Sequence, residues 1–464
     1  MSAESYGSLL AAAGRHFSQY NFRDALKKYE RAANMAVKGT LEHAICSHHM
    51  GTCHSEQMEY KLALDCFESS IEIRERLAPN TVEIAKDYAY AGYCLGRLGQ
   101  NDRCVIYHKK SVAVREHSSP DSLELARSYA DLADALFDVS EYEESIAIQK
   151  QAIDTRERLD SPPADLANSY NNIGAALDRS GQFEESFNYI NKSIALWEGS
   201  SESTTVATRA ALPPVVLQSL ALSYNNAAIV LHRLDRLDEA VSHAERSVSI
   251  RKDHSAGTDE LARSYTVHGD ALSAQQRHRD AVSSYREAVK LHEQLAPGSL
   301  DLARSYNGLG CALHSSGQYG EAVAVHHMAL AIRKERSAEC RSELAESYNN
   351  LGVPLSFQGH WDNAIGLFKK ALDTQEKEER SSLTVATYLQ NYGEGLDHLG
   401  YHRESIELLR RSVSIREQHD PITEDVANAY FDMAAALWHN QCHDEAVTLH
   451  EKGLAVKMEI DPDY

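Results

Sequence analysis

The sequence lacks the motifs by which most catalytic and cofactor sites are recognised. It has no GxxxxGK(S/T) phosphate loop, no HExxH zinc pair, no GxSxG nucleophile turn and no EF-hand calcium loop. Gly393 and Gly395 superficially resemble a dinucleotide-binding loop, but they lie in a helical pattern with no strand before it. The sequence therefore gives no support for catalysis, and we predict that the protein is not an enzyme and needs no cofactor.

Positive charge and long apolar segments are also scarce. Lys and Arg together number 47 against 68 for Asp and Glu, which gives a net charge of −21. Such a chain repels nucleic-acid phosphates and anionic membrane surfaces. We find neither a secretory signal at the start nor an apolar run near the roughly 20 residues that span a membrane. We therefore predict no nucleic-acid binding, no membrane insertion and a cytoplasmic location.

One pattern recurs through almost the whole chain. In the stretch 302–336, Ala303 and Gly310 share one face of a predicted helix, Gly317 breaks that helix, and Ala322 marks the apolar face of a second helix. We number each repeat from its first alanine, at position 0. These alanines recur at steps of 41 residues, except for one step of 54 and one of 42: Ala44, Ala85, Ala126, Ala167, Ala221, Ala262, Ala303, Ala345, Ala386 and Ala427.

A second small residue follows each of these alanines at position +19. Small side chains at paired positions let two helices approach closely, so we predict that the two helices of each repeat cross there. An atypical unit around Ala25 brings the count to about eleven helix-turn-helix repeats and predicts an all-α fold. The small residues at +19 are Ala63, Cys104, Ser145, Ser186, Ala240, Ala281, Ala322, Ala364, Ser405 and Ala446.

The repeats resemble the tetratricopeptide repeat. The unit that begins Tyr348-Asn349-Asn350-Leu351-Gly352 continues with Gly359, Trp361 and Ala364 at the signature positions. Its length of about 41 residues exceeds the usual ~34, as in the longer repeats of kinesin light chains. HEAT repeats are the weaker alternative, because they lack the glycine-aromatic turn. The resemblance implies a right-handed superhelical α-solenoid that binds a peptide in a concave groove lined by the first helices.

The spacing divides the chain into five segments. We predict an atypical capping repeat over 1–37, repeats two to five over 38–198, an insertion over 199–216, repeats six to eleven over 217–460 and an acidic tail over 461–464. The insertion is rich in Ser and Thr and ends in two prolines, which indicates a loop. We favour continuous stacking across it, although a hinge or a phosphorylated regulatory loop are alternatives.

The eight cysteines mostly occupy helical positions where other repeats carry small or apolar residues. Cys46, His49 and Cys53 fall on one helix face and offer three soft metal ligands. Structural zinc usually needs four ligands at recognisable spacing, and no CxxC pair exists elsewhere. We interpret these residues as packing residues and predict no metal site.

The first helix of each repeat supplies the candidate binding residues. On the family's pattern, positions +1, +4 and +8 face the groove, and +4 is mostly an amide. An amide both donates and accepts hydrogen bonds, so it suits the backbone of an extended peptide. Because Asn is a poor helix former, its recurrence favours binding over a solvated helix residue. The +4 amides are Asn171, Asn225, Asn307, Asn349 and Gln390.

Charge and aromatic residues indicate which peptide would bind. Arg127, Arg263 and Arg304 occupy +1 and predict a preference for acidic groups. The alternative is that groove aspartates neutralise these arginines. Phe431 and Trp438 lie seven residues apart on the last first-helix and predict an apolar pocket.

Two functions remain open at this point. The first is a scaffold or adaptor that binds an extended, acidic segment of a partner protein. The second is a structural array that self-associates through its C-terminal repeat.

Overall fold

The computed structural model describes residues 5–199, 213–377, 379 and 381–461. These residues contain 22 α-helices and no strand, which confirms the predicted all-α solenoid class. Most of the predicted insertion, 200–212, and of the acidic tail, 462–464, lies outside the described residues.

The chain forms two compact units, Met1–Asp235 and Arg236–Tyr464. The helices of the first unit are α1 Tyr6–Ser18, α2 Phe22–Met35, α3 Leu41–Glu56, α4 Tyr60–Leu77, α5 Val82–Arg97, α6 Asn101–Ser118, α7 Leu123–Asp138, α8 Tyr142–Arg158, α9 Pro163–Arg179, α10 Phe183–Gly199 and α11 Pro214–Arg233. Those of the second unit are α12 Leu237–His254, α13 Asp259–Ala274, α14 His278–Leu295, α15 Leu300–Ser315, α16 Tyr319–Glu335, α17 Arg341–Phe357, α18 Trp361–Gln375, α19 Leu383–His398, α20 His402–His419, α21 Glu424–His439 and α22 His443–Ile460.

The odd-numbered helices are the first helices of the repeats, here called A helices, and the even-numbered ones are B helices. Within each unit, every helix packs against the next along the chain. The A helices also contact one another directly, from α3 to α11 in the first unit and from α13 to α21 in the second. Each unit therefore has a continuous layer of A helices.

Local sequence sets where the A helices begin and end. Ser122 and Ser299 cap α7 and α15 by accepting the backbone N–H of the third following residue, each at 3.1 Å. The turn after each A helix has a positive φ at +14. Gly317 has φ 80° there, but Gln276 has φ 62° and Tyr20 has φ 59°. The left-handed turn thus recurs even in repeats that lack the favoured glycine.

The two small positions of each repeat are buried, but they do not face each other as predicted. Every anchor alanine from Ala44 to Ala427 is at 0% exposure, and the largest exposure among the +19 residues is 6%, at Cys104. Ser145 Oγ at +19 donates to the carbonyl at +7 at 2.8 Å, whereas the Ala85 carbonyl at position 0 accepts from Ser111 Oγ at +26 at 2.9 Å. The close approach of the two helices is thus between +7 and +19.

A second contact joins the helices of a repeat at +7 and +23. A Cβ added to Gly352 would lie 2.5 Å from the Phe368 ring, and one added to Gly310 would lie 2.5 Å from the His326 ring. His326 is only 1% exposed, and its burial lowers its pKa to about 4. The +23 side chain therefore fills the space left by a missing side chain at +7, and a neutral imidazole serves as well as a benzene ring.

Buried arginines at +30 join several repeats to the next, and the other junctions carry Trp, His or Gln there. Arg333 is 4% exposed and donates from Nη1 to the Glu343 carbonyl and the Ser347 hydroxyl, each at 2.7 Å. Arg251 donates from Nη1 to Ser264 Oγ at 2.8 Å. In both cases the charge reaches a serine at +2 of the following A helix, and the hydrogen bonds offset the cost of burying it. Arg115 is less well paired, because its buried Nε and Nη1 atoms have no hydrogen-bond partner in the described residues.

A tyrosine-glutamate bond stands beside the arginine at several junctions. The Tyr88 hydroxyl donates to Glu75 Oε1 at 2.6 Å, and the Tyr129 hydroxyl to Glu116 Oε1 at 2.8 Å. The donors lie at +3 and the acceptors at +31 of the preceding repeat. The end of one B helix, at +31, thus binds the tyrosine at +3 of the next A helix.

Helix α11 corrects the expectation that the chain has no apolar stretch near membrane-spanning length. By length and composition alone, Pro214–Arg233 is long and apolar enough to cross a membrane. It packs against α10 and α9, and Leu217, Leu220 and Tyr224 are no more than 1% exposed. Its apolar character is thus used for packing between repeats.

The glycine contacts predict opposite effects for two equivalent substitutions. Gly352→Ala places a methyl group against Phe368, and we expect it to destabilise the second unit by about 1–3 kcal/mol. Gly366 lies within α18 with no atom within 4 Å of an added Cβ, so Gly366→Ala should stabilise by about 0.5–1 kcal/mol. Urea unfolding followed by circular dichroism measures both. Shifts of the same sign would contradict the packing described here.

Candidate peptide-binding face

Within each unit, residues at +1, +4, +5 and +8 of the A helices form a surface that we call the A-layer face. Its predicted +4 amides are less open to solvent than the sequence suggested. Asn171 is 6% exposed, and Asn225 and Asn349 are 7% exposed. Their surroundings therefore determine what they can bind.

The +4 amides accept hydrogen bonds from the +5 asparagines of the following repeat. Asn226 Nδ2 donates to Asn171 Oδ1 at 3.1 Å, and Asn350 Nδ2 donates to Asn307 Oδ1 at 3.1 Å. The same bond recurs between Asn391 Nδ2 and Asn349 Oδ1 at 2.7 Å. These bonds join neighbouring A helices, so the +5 asparagines have a structural role.

The remaining groups of the +4 amides differ from one repeat to another. Asn307 Nδ2 donates to Glu346 Oε1 at 3.2 Å. Gln390 donates to Asp432 Oδ2 at 2.6 Å and accepts from buried Arg416 at 3.0 Å. The amide groups are therefore largely engaged within the protein, and their use by a peptide remains a prediction that must compete with these bonds.

Asn225 is the exception among these amides. Its Oδ1 atom is buried and has no hydrogen-bond partner in the part of the chain that the structure describes. A buried acceptor of this kind is costly to leave unpaired, so it is the +4 amide with the most to gain from a ligand donor.

The predicted arginines divide into paired and unpaired members. Arg263 Nη2 lies 3.0 Å from Asp259 and 3.1 Å from Asp301, and Arg304 Nη2 lies 3.5 Å from Asp270. The competing interpretation, neutralisation by groove aspartates, thus holds for these two. Within the described residues, Arg127 has no hydrogen-bond or ion-pair partner, and the charge of its exposed side chain opposes the rise in pKa that burial causes at nearby Asp131.

Carboxylates that were not among the predicted binding residues also lie on the A-layer face. Loss of hydration there raises the pKa of Asp131 to about 6 and that of Asp134 to about 7. The charge on Asp131 adds to the shift at Asp134, whereas a 3.0 Å hydrogen bond from Asn172 opposes it. In the second unit, burial and the neighbouring Asp432 raise the pKa of Glu394.

Two clefts of the same design open on this face, one in each unit. Each has a volume of about 210 Å³ and lies between two consecutive repeats. The first is lined mainly by polar groups of repeats four and five, and the second mainly by aromatic groups of repeats nine and ten. Matching lining residues are Asp134 and Val353 at +8, Gln149 and Phe368 at +23, and Asn172 and Asn391 at +5 of the following repeat.

Phe431 and Trp438 lie in separate surroundings. The Phe431 ring packs on His450 at 5.0 Å between centroids and covers Gly453. Trp438 is 54% exposed and meets His443 edge-on at 4.4 Å. No ring contact joins the two aromatics in the described chain, so the predicted pocket stays a prediction.

The residues that could bind a metal ion are not the ones that the sequence suggested. His49 stacks on Tyr29 at 4.9 Å, and its burial lowers its pKa to about 4. Burial raises the pKa of Cys53 to about 12. Among the described residues, the potential ligands that do come together are Asp397, His402 and His439. These residues are far apart in the sequence and meet only through the stacking of repeats ten and eleven, so the sequence pattern did not reveal them.

The geometry defines an all-α helical-repeat protein of the solenoid class. The sequence profile of the tetratricopeptide repeat matches residues 87–158, 132–199, 219–294, 260–335 and 343–418, which together cover more than half of the chain. The protein therefore belongs to the tetratricopeptide repeat family. A search of curated proteins finds no significant match.

Several solved structures are similar to this chain. A Rap protein complexed with competence and sporulation factor has a TM-score of 0.53 at 13% identity, covering 83% of this chain and 100% of that one. BtubC (BKLC) from P. vanneervenii has a TM-score of 0.43 at 20% identity, over 48% and 92% of the two chains. A putative kinesin light chain from Podosopora anserina has a TM-score of 0.38 at 19% identity, over 44% and 98%. At such identities the likeness shows the fold alone.

The raised pKa of Asp134 predicts how stability depends on pH. Its ordinary value is 3.8, so between about pH 4 and pH 7 the folded state binds more protons at this group than the unfolded state does. The stability of the wild type should therefore fall as pH rises through this window. Asp134→Asn removes that loss, so its advantage in thermal midpoint over the wild type should grow from pH 5 to pH 8.

Asp154→Asn is the control, because this aspartate is exposed on α8 of the same repeat. An advantage of Asp134→Asn that does not change with pH, or that the control reproduces, would contradict the assignment.

Proposed function

We propose that this protein is a cytoplasmic, non-enzymatic scaffold that binds an extended segment of a partner protein along its A-layer face. The observation that carries the proposal is the recurrence of one cleft in both units, each bordered by a +5 asparagine. A face that presents the same kind of pocket and the same amide more than once suits an extended peptide, because the backbone groups of such a peptide recur at regular spacing. The eight cysteines, all without a disulfide, support a reducing compartment.

Fold similarity supports a protein ligand. The Rap protein structure carries the competence and sporulation factor, and its chain has the same fold over most of the length of this one. For this protein the nature of the partner is part of the proposal, and the net charge of −21 favours a protein over a nucleic acid.

The asparagines provide the direct test of peptide binding. A peptide selected from a display library against the purified protein serves as the ligand, and its affinity is measured by calorimetry. Asn307→Ala combined with Asn349→Ala should weaken binding at least about fivefold, since two amide contacts are worth about 1–3 kcal/mol. Asn363→Ala is the control, because Asn363 is exposed at the start of a B helix.

The double variant also loses three inter-repeat bonds, so its circular dichroism spectrum and thermal midpoint are recorded beside the affinity. Unchanged affinity in a folded double variant would show that the +4 amides do not hold the ligand.

We further propose that the ligand is acidic and that its carboxylates contact the +1 arginines. Arg127 should matter most, because Arg263 already pairs with Asp259 and Asp301. An acidic peptide should bind more tightly than a basic peptide of the same length, and less tightly at high salt. Arg127→Gln should reduce the affinity for the acidic peptide more than Arg263→Gln does. Equal binding of both peptides, or affinity independent of salt, would exclude the preference.

Self-association is the second candidate, and helix α22 favours it. Val447, Leu454 and Met458 lie on one side of this helix and are 49%, 36% and 58% exposed. Apolar groups aligned in this way commonly contact a partner surface. Sedimentation velocity should then show a mass that grows with concentration, and Leu454→Glu should abolish the growth. Met328→Glu, at an exposed methionine of α16, is the control. Monomers at all concentrations would reject self-association.

A further inference from the structure

Three potential metal ligands meet at the turns of repeats ten and eleven. Asp397 lies near the end of α19, His402 begins α20 and His439 ends α21. His402 Nδ1 lies 2.6 Å from Asp397 Oδ1, and His439 Nδ1 lies 2.8 Å from Asp397 Oδ2. One ligand atom from each of the three residues lies within 4.8 Å of the others.

The regular stacking of the repeats creates this meeting point. At several junctions the side chain at +16 of one repeat contacts the side chain at +12 of the next. Arg179 lies over the Tyr142 ring at 5.6 Å, and His398 stacks on Trp361 at 4.0 Å. At the last junction both positions are histidines, and their ring centroids lie 5.4 Å apart. The carboxylate at +11 completes the group.

We propose that Asp397, His402 and His439 form a binding site for a divalent transition-metal ion such as zinc. Two imidazole nitrogens and one carboxylate oxygen are a ligand set that such ions prefer, and three protein ligands leave a coordination position for water. The hard ions magnesium and calcium prefer oxygen ligands and should not compete.

The exposure of the three side chains suits an ion that enters from solvent. The Asp397 side chain is 12% exposed, His402 30% and His439 52%. The largely buried Asp397 carboxylate supplies a negative charge in a fixed position, while the more exposed imidazoles can turn toward the ion. Zinc would then replace two hydrogen bonds by coordinate bonds and connect the turn of repeat ten to α21 of repeat eleven.

The metal site is separate from the proposed peptide-binding residues. It lies at the same junction between repeats ten and eleven where the +4 amide Gln390 donates to Asp432. A metal ion there would hold repeats ten and eleven in one relative position. It would thereby stabilise the end of the A-layer face without taking part in it.

The test uses the full chain, stripped with a chelator and then titrated with zinc chloride by calorimetry. Because the chain has 23 histidines and 8 cysteines, the readout is the difference from matched variants. Asp397→Asn and His439→Gln should each lose one bound equivalent of zinc, or bind it at least tenfold more weakly. His398→Gln, which removes a histidine at the same repeat position one repeat earlier, should bind like the wild type.

Two further readouts separate coordination from an effect on folding. Cobalt(II) should give a visible absorption band in the wild type that is absent from His439→Gln, whose exposed side chain makes misfolding a small concern. Zinc, but not magnesium, should raise the thermal midpoint of the wild type and not that of the variant. Equal zinc stoichiometry in the wild type and both variants, or no zinc-dependent shift, would overturn the proposal and leave an aspartate that only accepts two histidine hydrogen bonds.

Discussion

The rest of the structure depends on the contact between +30 and +31 of one repeat's B helix and +2 and +3 of the next repeat's A helix. At most junctions the residue at +30 is a buried arginine, and a buried charge needs hydrogen bonds. At Arg333 the serine hydroxyl and a backbone carbonyl meet that need. Burial of apolar side chains supplies most of the stabilisation in such arrays, but it is not directional. The hydrogen-bonded contact therefore fixes the register of neighbouring repeats.

That register determines what lies on the A-layer face. Once +2 and +3 of one repeat are held by the preceding B helix, +5 is placed against +4 and +8 of the preceding A helix. Asn350 shows the result, because its Nδ2 atom lies 3.1 Å from Asn307 Oδ1 and 3.8 Å from Cys311 Sγ. The same stacking sets the +12 and +16 contacts at the turns, including the contact between His402 and His439. The contacts on the A-layer face and those at the turns thus both follow from the register of neighbouring repeats.

The sequence predicted the helices and the period of the repeats, and little of what depends on the angle between repeats. The small residues at 0 and +19 identified the two helices of each repeat, since close packing favours small side chains there. The +4 asparagines were noticed, but their bonds to +5 were not predicted because they join residues 42 or more positions apart. The approach of His439 to Asp397 was hidden for the same reason. The pairing of Arg304 with Asp270 follows the alternative that groove aspartates neutralise the arginines.

A double-mutant cycle on Glu116 and Tyr129 tests the central claim most directly. These side chains join repeats three and four through a 2.8 Å hydrogen bond, and each can be changed conservatively, to Gln and to Phe. If the contact holds the repeats in register, the two substitutions should couple by about 0.5–3 kcal/mol in the free energy of unfolding. Effects that simply add, within about 0.3 kcal/mol, would contradict the claim and leave apolar burial alone to set the register.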